Sequence, residues 1–273
     1  MVKRIVRDFR FWIGFAVIGT IIVLAFIGPS LAPNDPYRMN GGLRFAAVGE
    51  GGYFLGGDEY GRDVFSRVLS GARLSMTVSI FSVSIALTAG TLLGMIAGYF
   101  RGKFETFIMR GIDVLMAFPS IIFAIFIVSL LGTHLHILII VIGILYIPKY
   151  ARIVYSVTLG VREVEYVEAS RALGATHWRT LQKAVVPNLL APLIVQASLS
   201  LGDAILLESS LSFLGLGPPP PAIAWGRMVS EAGGFLHLGL NGLIWPALLI
   251  SLTVIAFNIV GDALRDAMDR KGP

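Results

Sequence analysis

Two carboxylates, Asp203 and Glu208, interrupt an apolar stretch late in the chain. A carboxylate at membrane depth is energetically costly and rarely faces lipid, so it marks either an ion pathway or hydrogen bonds between helices. The two residues are five positions apart, about 140° around a helix, and therefore do not form one acid pair. We favour structural hydrogen bonds, or a position near the outer membrane surface, over a proton relay. The candidate pathway-lining residues fall along one side of this helix: Gln196, Ser200, Asp203 and Ser210.

Other chemistry is weakly supported. His134 and His136 could be a nickel ligand pair, but two histidines in a short turn without a third ligand are more typical of a polar loop. A self-sufficient ATP pump needs a G-x-x-x-x-G-K-[ST] loop, whereas Gly102 and Lys103 are followed by Phe104. The sequence has no cysteine and no evident catalytic constellation. We therefore expect no bound cofactor or metal in this chain, and no enzymatic activity.

The longest polar interruption is EYVEASRALGATHWRTLQKAVVPNLL, from Glu165 to Leu190. Composition predicts a helix from Val161 to Leu173, and Gly174 can supply a left-handed C-terminal cap. Thr176 can cap a second helix that runs to Pro187. The segment is thus predicted to be a helix, a glycine turn and another helix.

An apolar stripe on the second helix indicates that this loop docks on something. Trp178, Leu181 and Val185 are spaced i, i+3 and i+7, which places them on one face of a helix. The stripe packs either on the ends of the chain's own helices or on a cytoplasmic partner. Glu168 and Arg171, three residues apart, could form an ordinary exposed ion pair instead of contacting a partner.

The elements that hold these residues are membrane helices. Of 273 residues, 55% are apolar and only 14% are charged, whereas a soluble domain has about a quarter charged. Crossing about 30 Å of hydrocarbon takes roughly 20 apolar helical residues. Six stretches qualify: about 11–32, 74–98, 112–131, 136–158, 189–214 and 242–262. Pro119, Pro148 and Pro192 predict kinks in the third, fourth and fifth. The predicted class is an all-α, polytopic membrane protein with six transmembrane helices.

Orientation follows from the basic residues. Of the 22 Lys and Arg residues, 16 fall in segments on one side and five on the other, which predicts that both termini are cytoplasmic. This asymmetry accounts for the net positive charge of the chain, so nucleic-acid binding is not needed to explain it. The apolar run from Phe11 to Gly28 exceeds a signal-peptide core, which favours an uncleaved anchor over cleavage after Ala32.

Three regions follow from these spans. Residues 1–36 are the cytoplasmic N-terminus and first transmembrane helix, and 37–72 are an extracytoplasmic segment with turns and a short interfacial helix. Residues 73–273 are a five-helix core with the cytoplasmic loop at about 159–188. Residues 217–232 begin with Gly217 and four prolines and then resume a helix-like composition. They are predicted either to cap the outer mouth or simply to make this loop rigid.

The cytoplasmic loop resembles a known family motif. Glu168-Ala169-Ser170, three residues, Gly174, nine residues and Ala184-Val185-Val186-Pro187 are similar to the EAA loop of integral-membrane subunits of binding-protein-dependent ABC importers. Ser170 replaces the second alanine of that pattern, Ala184 its isoleucine and Val186 its leucine.

Three further stretches resemble dipeptide, oligopeptide and nickel permeases. FLGGDEYGRDVFSRVLSGARLSM, Phe54–Met76, is similar to their signature, with Gly57 in place of threonine. Met109–Ile125 and Ala256–Asp269 are similar to their third span and C-terminal end, and Arg270 stands where that family commonly has proline.

The resemblance implies a type I ABC importer permease fold in the cell membrane. It implies a second homologous permease subunit, two cytoplasmic ATPase subunits that bind ATP and magnesium, and an extracytoplasmic solute-binding protein. The cargo would be a di- or oligopeptide, with nickel or another small solute as the alternative. A secondary carrier driven by an ion gradient is the rival class. The implied ATPase-coupling residues are Glu168, Ala169, Ser170, Arg171, Gly174, Ala175, Thr176, Trp178, Arg179 and Pro187.

Overall fold

The computed structural model describes residues 8–268, apart from the side chain of Arg171. The first seven residues and the predicted departure at Arg270 therefore lie outside the described range. Within that range, regular structure is helical except for one antiparallel bridge between Gly57 and Asp63. The helices are α1 Phe9–Leu31, α2 Val64–Phe100, α3 Gly102–Ala117, α4 Ser120–Leu131, α5 Leu135–Arg162, α6 Glu165–Ala172, α7 His177–Phe213, α8 Trp225–Gly233 and α9 Asn241–Met268.

Five of these helices are long and apolar enough to cross a membrane: α1, α2, α5, α7 and α9. Helices α3 and α4 are apolar enough to form a sixth span only when they are taken together. The chain bends by 89° at the short break between them. Helix α4 alone has 12 residues and rises about 18 Å, which is too short to cross the hydrocarbon. The membrane protein is thus all-helical, as predicted, and has five candidate spans, or the predicted six if the bent pair counts as one.

The third span is not the kinked but continuous helix that the sequence predicted over 112–131. Phe118 adopts an extended conformation, φ −94° and ψ 135°, directly before Pro119. Proline disfavours the α region for the residue that precedes it, so the helix stops and restarts. Pro148 and Pro192, by contrast, lie inside the continuous helices α5 and α7.

Helix α2 begins ten residues before the predicted second span. The side chain of Asp63 caps it by accepting hydrogen bonds from the backbone N–H groups of Phe65 and Ser66. The preceding segment contains two single 3-10 turns, Gly41–Leu43 and Glu50–Gly52. Within residues 37–63 the predicted short interfacial helix does not form, since helical structure there is limited to these two turns, and residues 64–72 belong to α2.

Close contact between α2 and α5 fixes the position of the loop that follows α5. Gly90, Gly94 and Gly98 stand on successive turns of α2 and face α5. A Cβ atom at Gly94 would lie 2.5 Å from the carbonyl oxygen of Ala151, so only glycine permits this spacing. Helix α1 packs on the outside, against α2 and α9.

The helices define two ends of the molecule. The loop end carries residues 163–176, where α2 and α5 finish and α7 begins. The cap end carries residues 32–63 and 214–240. Trp225 of α8 is buried at the cap end and donates a hydrogen bond from Nε1 to the carbonyl of Val68 in α2, at 2.9 Å. Residues 217–232 therefore do resume a helix, and that helix is tied to the bundle.

Candidate functional site

The glycine turn at the loop end forms as predicted. Gly174 has φ +87°, in the left-handed region that favours glycine, directly after α6. The N–H of Ala175 donates to the carbonyl of Ser170 at 3.1 Å, which is the hydrogen bond of a Schellman cap. Thr176 then caps α7, its side-chain oxygen accepting from the N–H of Arg179 at 3.3 Å.

The two loop helices have different limits from those predicted. The first begins at Glu165 rather than Val161, because α5 continues to Arg162. The second does not end at Pro187 but continues as the fifth span through a π-helical segment, Leu181–Val185. Proline lacks an N–H and its ring crowds the carbonyl four residues earlier; the wider π turn just before it accommodates both effects. The loop is therefore covalently continuous with a transmembrane helix.

The apolar stripe divides between the chain's own core and the surface. Val185 is fully buried against Tyr99 and Val154, at the ends of α2 and α5, and Leu181 packs beside them. Trp178 has 67% of its surface exposed. Docking on the chain's own helix ends thus accounts for Leu181 and Val185 but leaves Trp178 available.

A tyrosine and a histidine that the sequence reasoning did not assign hold the start of α7. The hydroxyl of Tyr99 lies 3.0 Å from Nδ1 of His177, and the ring of Phe100 packs edge-on against the same imidazole. Arg162 donates to the carbonyl of Tyr99 at 2.9 Å. The loop is therefore anchored at both ends to α2. The sequence offered one signal for this contact: Tyr99 and Phe100 directly follow a predicted span, and His177 directly follows the predicted cap Thr176.

The apex of the loop projects away from the bundle. Leu173 is 90% exposed, and a Cβ atom placed on Gly174 would meet no other atom within 4 Å. Within α6, Val167 is buried and holds the helix against the rest of the chain, whereas Glu168 is exposed. The predicted pairing of Glu168 with the Arg171 side chain lies outside the described residues. A cleft of about 470 Å³ is lined by Tyr166, Ala169, Ser170, Leu173, Gly174, Ala175 and Arg179.

The four candidate pathway residues do not form one cluster. The carboxylate of Asp203 pairs with Nζ of Lys149 in α5 at 2.6 Å. Gln196 donates to the hydroxyl of Ser200, which is buried, at 2.9 Å. Ser210 donates to its own helix and lines a separate apolar cleft toward α8 and α9. Sequence reasoning missed Lys149, although a lysine in the middle of a predicted span was itself a signal.

Glu208 forms the structural hydrogen bonds that the sequence analysis favoured. It is fully buried in α7 and accepts from the hydroxyls of Ser75 in α2, at 2.8 Å, and Ser212, at 2.7 Å. These serines satisfy a carboxyl group that would otherwise be unpaired inside the bundle. Glu208 therefore connects two spans.

The cap end contains a buried network of charges from the Asp-Glu-x-x-Arg stretch. Arg62 contacts Asp58 at 2.6 Å, Glu59 at 2.7 Å and Glu231 of α8 at 2.9 Å. Arg67 of α2 approaches Asp58 at 3.3 Å and Glu231 at 3.4 Å. The network thus joins the residues before α2 to the cap helix.

The environment of this network shifts the pKa values of two of its carboxyl groups in opposite directions. Burial alone would raise the pKa of Glu231, but hydrogen bonds from Arg227 and Arg62 outweigh it and hold that pKa below its ordinary value. Burial and the neighbouring charge of Asp58 raise the pKa of Glu59.

The histidine pair that the sequence analysis considered as nickel ligands lies at the start of α5. The rings of His134 and His136 stack on each other. Within the described residues, no group of three or more His, Cys, Asp or Glu side chains is placed so that it could hold a metal ion.

This geometry defines an all-helical membrane subunit with a projecting helix-turn-helix between two of its spans. Residues 90–271 match the family of binding-protein-dependent transport system inner membrane components, and the chain belongs to that family. The fold is similar to that of the inward-facing MetNI methionine ABC transporter, with a TM-score of 0.60, 18% identity, and coverage of 75% of this chain and 97% of that chain.

Relatives of known name extend over nearly the whole chain. The glutathione transport system permease protein GsiD of Pectobacterium atrosepticum is 39% identical over 92% of this chain and 83% of its own length. The dipeptide transport system permease protein DppC of Alkalihalophilus pseudofirmus is 40% identical over 95% of this chain and 85% of its own length. The predicted family and the type I importer fold are therefore confirmed.

Proposed function

We propose that this chain forms half of the translocation pathway of an ATP-driven importer of di- and oligopeptides. The observation that carries the proposal is the projecting loop apex, where Leu173 and Trp178 are exposed beside a glycine turn that is anchored to α2 and α7. Exposed apolar residues on an ordered, anchored loop fit a protein contact. In this role the chain transmits motion and has no catalytic activity of its own.

The partners follow from that role. Two cytoplasmic ATPase subunits bind ATP and magnesium, and each receives the loop of one permease subunit. The second permease subunit is homologous but not identical, and an extracytoplasmic solute-binding protein delivers the cargo. The loop end, with both chain termini, faces the cytoplasm, and the cap end faces outward. The excess of Lys and Arg on the loop side supports this orientation.

The continuity of α7 supports a mechanism of coupling. Because α7 runs from His177 through the π segment into the fifth span, displacement of Trp178 by an ATPase is transmitted along a single helix to Asp203. Closure of the ATPases then switches the pathway between inward-facing and outward-facing states as a rigid-body movement. Peptide is the favoured cargo because relatives named for dipeptides and glutathione match most of the chain; nickel or another small solute is the alternative.

A secondary carrier is the second candidate, and the observation that favours it is the Lys149–Asp203 pair inside two spans. Uptake of a labelled dipeptide into ATP-loaded vesicles, with the ATPases, second permease and binding protein present, separates the two functions. The importer requires ATP and continues after a protonophore and a sodium ionophore collapse the ion gradients. Uptake that stops under the ionophores while internal ATP stays high would instead establish the carrier.

A further inference from the structure

An ion pair stands half-exposed in the middle of two membrane spans. Nζ of Lys149 lies 2.6 Å from Oδ2 of Asp203, and their side chains are 42% and 45% exposed. Lys149 is the fifteenth of the 28 residues of α5, and Asp203 lies a similar distance along the part of α7 that follows the π segment. Charges at this depth are not stable against lipid, so this surface of the chain faces water or protein.

The pair is the first member of a polar track that runs along α5 toward the loop end. Arg152, one turn further, pairs with Asp113 of α3 at 2.8 Å, and both side chains are exposed. Tyr155, another turn on, donates to the carboxylate of Glu105. Each step of the track has a hydrogen-bonding group on the same open side of the bundle. A row of paired polar side chains on an exposed surface fits contact with water or protein rather than with lipid.

The first pair is built so that it can exchange partners. Among described residues, the Asp203 carboxylate receives a hydrogen bond only from Lys149, which leaves most of its acceptor sites open. The Lys149 ammonium lies 4.7 Å from the centre of the Tyr146 ring, which supports a cation without consuming a donor. Glu208 shows the contrast, since its carboxyl is fully buried and is bonded by serines on two helices.

We propose that Lys149 and Asp203 form a binding site for the charged ends of a peptide at the midpoint of the pathway. The peptide ammonium pairs with Asp203 and the peptide carboxylate with Lys149, and the two side chains pair with each other again after the peptide passes. Because Lys149 and Asp203 are each other's alternative partner, release of the peptide leaves neither charge unpaired in the span. The inference rests on the proposed function and names the chemistry of its cargo contact.

The test uses two single variants, each of which neutralises one member of the pair and keeps the charge of the other. Lys149→Gln keeps the Asp203 carboxylate, and Asp203→Asn keeps the Lys149 ammonium. Uptake of alanyl-alanine, alanyl-glutamate and alanyl-lysine is measured in ATP-loaded vesicles with the complete complex and the same binding protein. Relative to wild type, Lys149→Gln shifts the ratio of uptake toward alanyl-lysine by about tenfold and Asp203→Asn toward alanyl-glutamate by a similar factor.

A double variant protects the test against misfolding. Lys149→Gln with Asp203→Asn leaves no unpaired charge, and its uptake of all three dipeptides is expected to fall about tenfold, a modest loss of binding. ATP hydrolysis stimulated by the binding protein is expected to persist, because the site lies far from the loop apex. The matched control is Asp266→Asn, which breaks the exposed Arg10–Asp266 pair at 3.1 Å outside this track and leaves the ratios unchanged.

Three results are decisive against the proposal or its basis. An equal fall for all three dipeptides in both single variants assigns the pair to contact with the second permease subunit and overturns the binding site. Wild-type uptake by the double variant overturns it as well. Absence of ATP-dependent dipeptide uptake by the wild-type complex overturns the proposed function itself, and this outcome is distinguishable because no variant is involved.

Discussion

The cap end and the loop end both interrupt an apolar chain with charged residues, but they place those residues oppositely. At the cap end, Asp58, Glu59 and Arg67 are buried and joined to one another. At the loop end, Glu168 and Arg179 are exposed. Charge in the sequence therefore does not indicate exposure; the number of opposite charges within reach decides it.

The difference has a physical basis in desolvation. A charge removed from water costs several kcal/mol unless nearby opposite charges and hydrogen bonds compensate for it. The stretch from Asp58 to Arg67 supplies acids and arginines close together, and Glu231 completes the set from α8. The described residues of the loop include no comparable buried set, so Glu168 and Arg179 stay in water, and the apolar side chains of Leu173 and Trp178 are exposed beside them. The cap end is thus held together by buried charges, whereas the loop end presents its side chains to the surroundings.

The largest effect is expected from breaking the cap network. Arg62→Met removes three contacts and leaves the carboxylates of Asp58 and Glu59 buried with less compensation. We expect a loss of about 3–5 kcal/mol in the free energy of unfolding, the usual cost of one missing partner in a buried pair. Thermal unfolding of the detergent-purified chain measures this loss. Unfolding at the wild-type temperature would show that the network is not a structural element.

The next largest effect is expected at the loop apex and concerns association rather than folding. Trp178→Ala removes an exposed indole, and buried tryptophans at protein interfaces commonly contribute about 2 kcal/mol or more, roughly thirtyfold in affinity. Titration of the ATPase subunits onto purified permease measures the change. Trp12→Ala on α1 is the matched control, since its indole is also exposed but lies on a membrane span. Equal ATPase affinity in both variants would exclude Trp178 from the contact.

A smaller, conformational effect is expected at Gly174. A Cβ atom there meets no neighbouring atom within 4 Å, so the main expected cost of valine is that of a left-handed backbone, about 1–2 kcal/mol. Gly174→Val should insert normally yet transport less peptide per ATP hydrolysed, or retain its ATPases less well. The measurement is the ratio of uptake to phosphate release in vesicles. Wild-type coupling and retention together would show that this turn is not the coupling element.

Sequence reasoning succeeded where the signal was local. Gly174 and Thr176 have conformational and capping preferences that a few neighbours determine, and both were placed correctly. It failed where a proline permits more than one local outcome. The extended backbone at Phe118 and the continuity of α7 past Pro187 depend on how a proline is accommodated, which either a kink, a break or a π turn can satisfy.

The same distinction applies to the charges. The sequence singles out Asp203 as a candidate pathway residue, but its partner Lys149 lies 54 positions away on another helix. Glu231 lies 169 positions from Arg62, so the sequence analysis did not identify the cap network. Pairing across helices depends on rotation and depth, and neither is specified by the residues on one helix alone.

The smallest effect is expected from an ion pair of the same chemistry as the cap network but in the opposite environment. Arg10 and Asp266 join α1 to α9 at 3.1 Å, with side chains 64% and 60% exposed, whereas Arg62 and Asp58 are 10% and 3% exposed. Water screens the exposed pair and solvates either partner when the other is removed, so Asp266→Asn should leave the free energy of unfolding close to that of the wild type. Thermal unfolding beside Arg62→Met measures both changes on one scale. If Asp266→Asn destabilises the chain as much as Arg62→Met does, burial is not what separates these arginine pairs, and the contrast between buried and exposed charge fails.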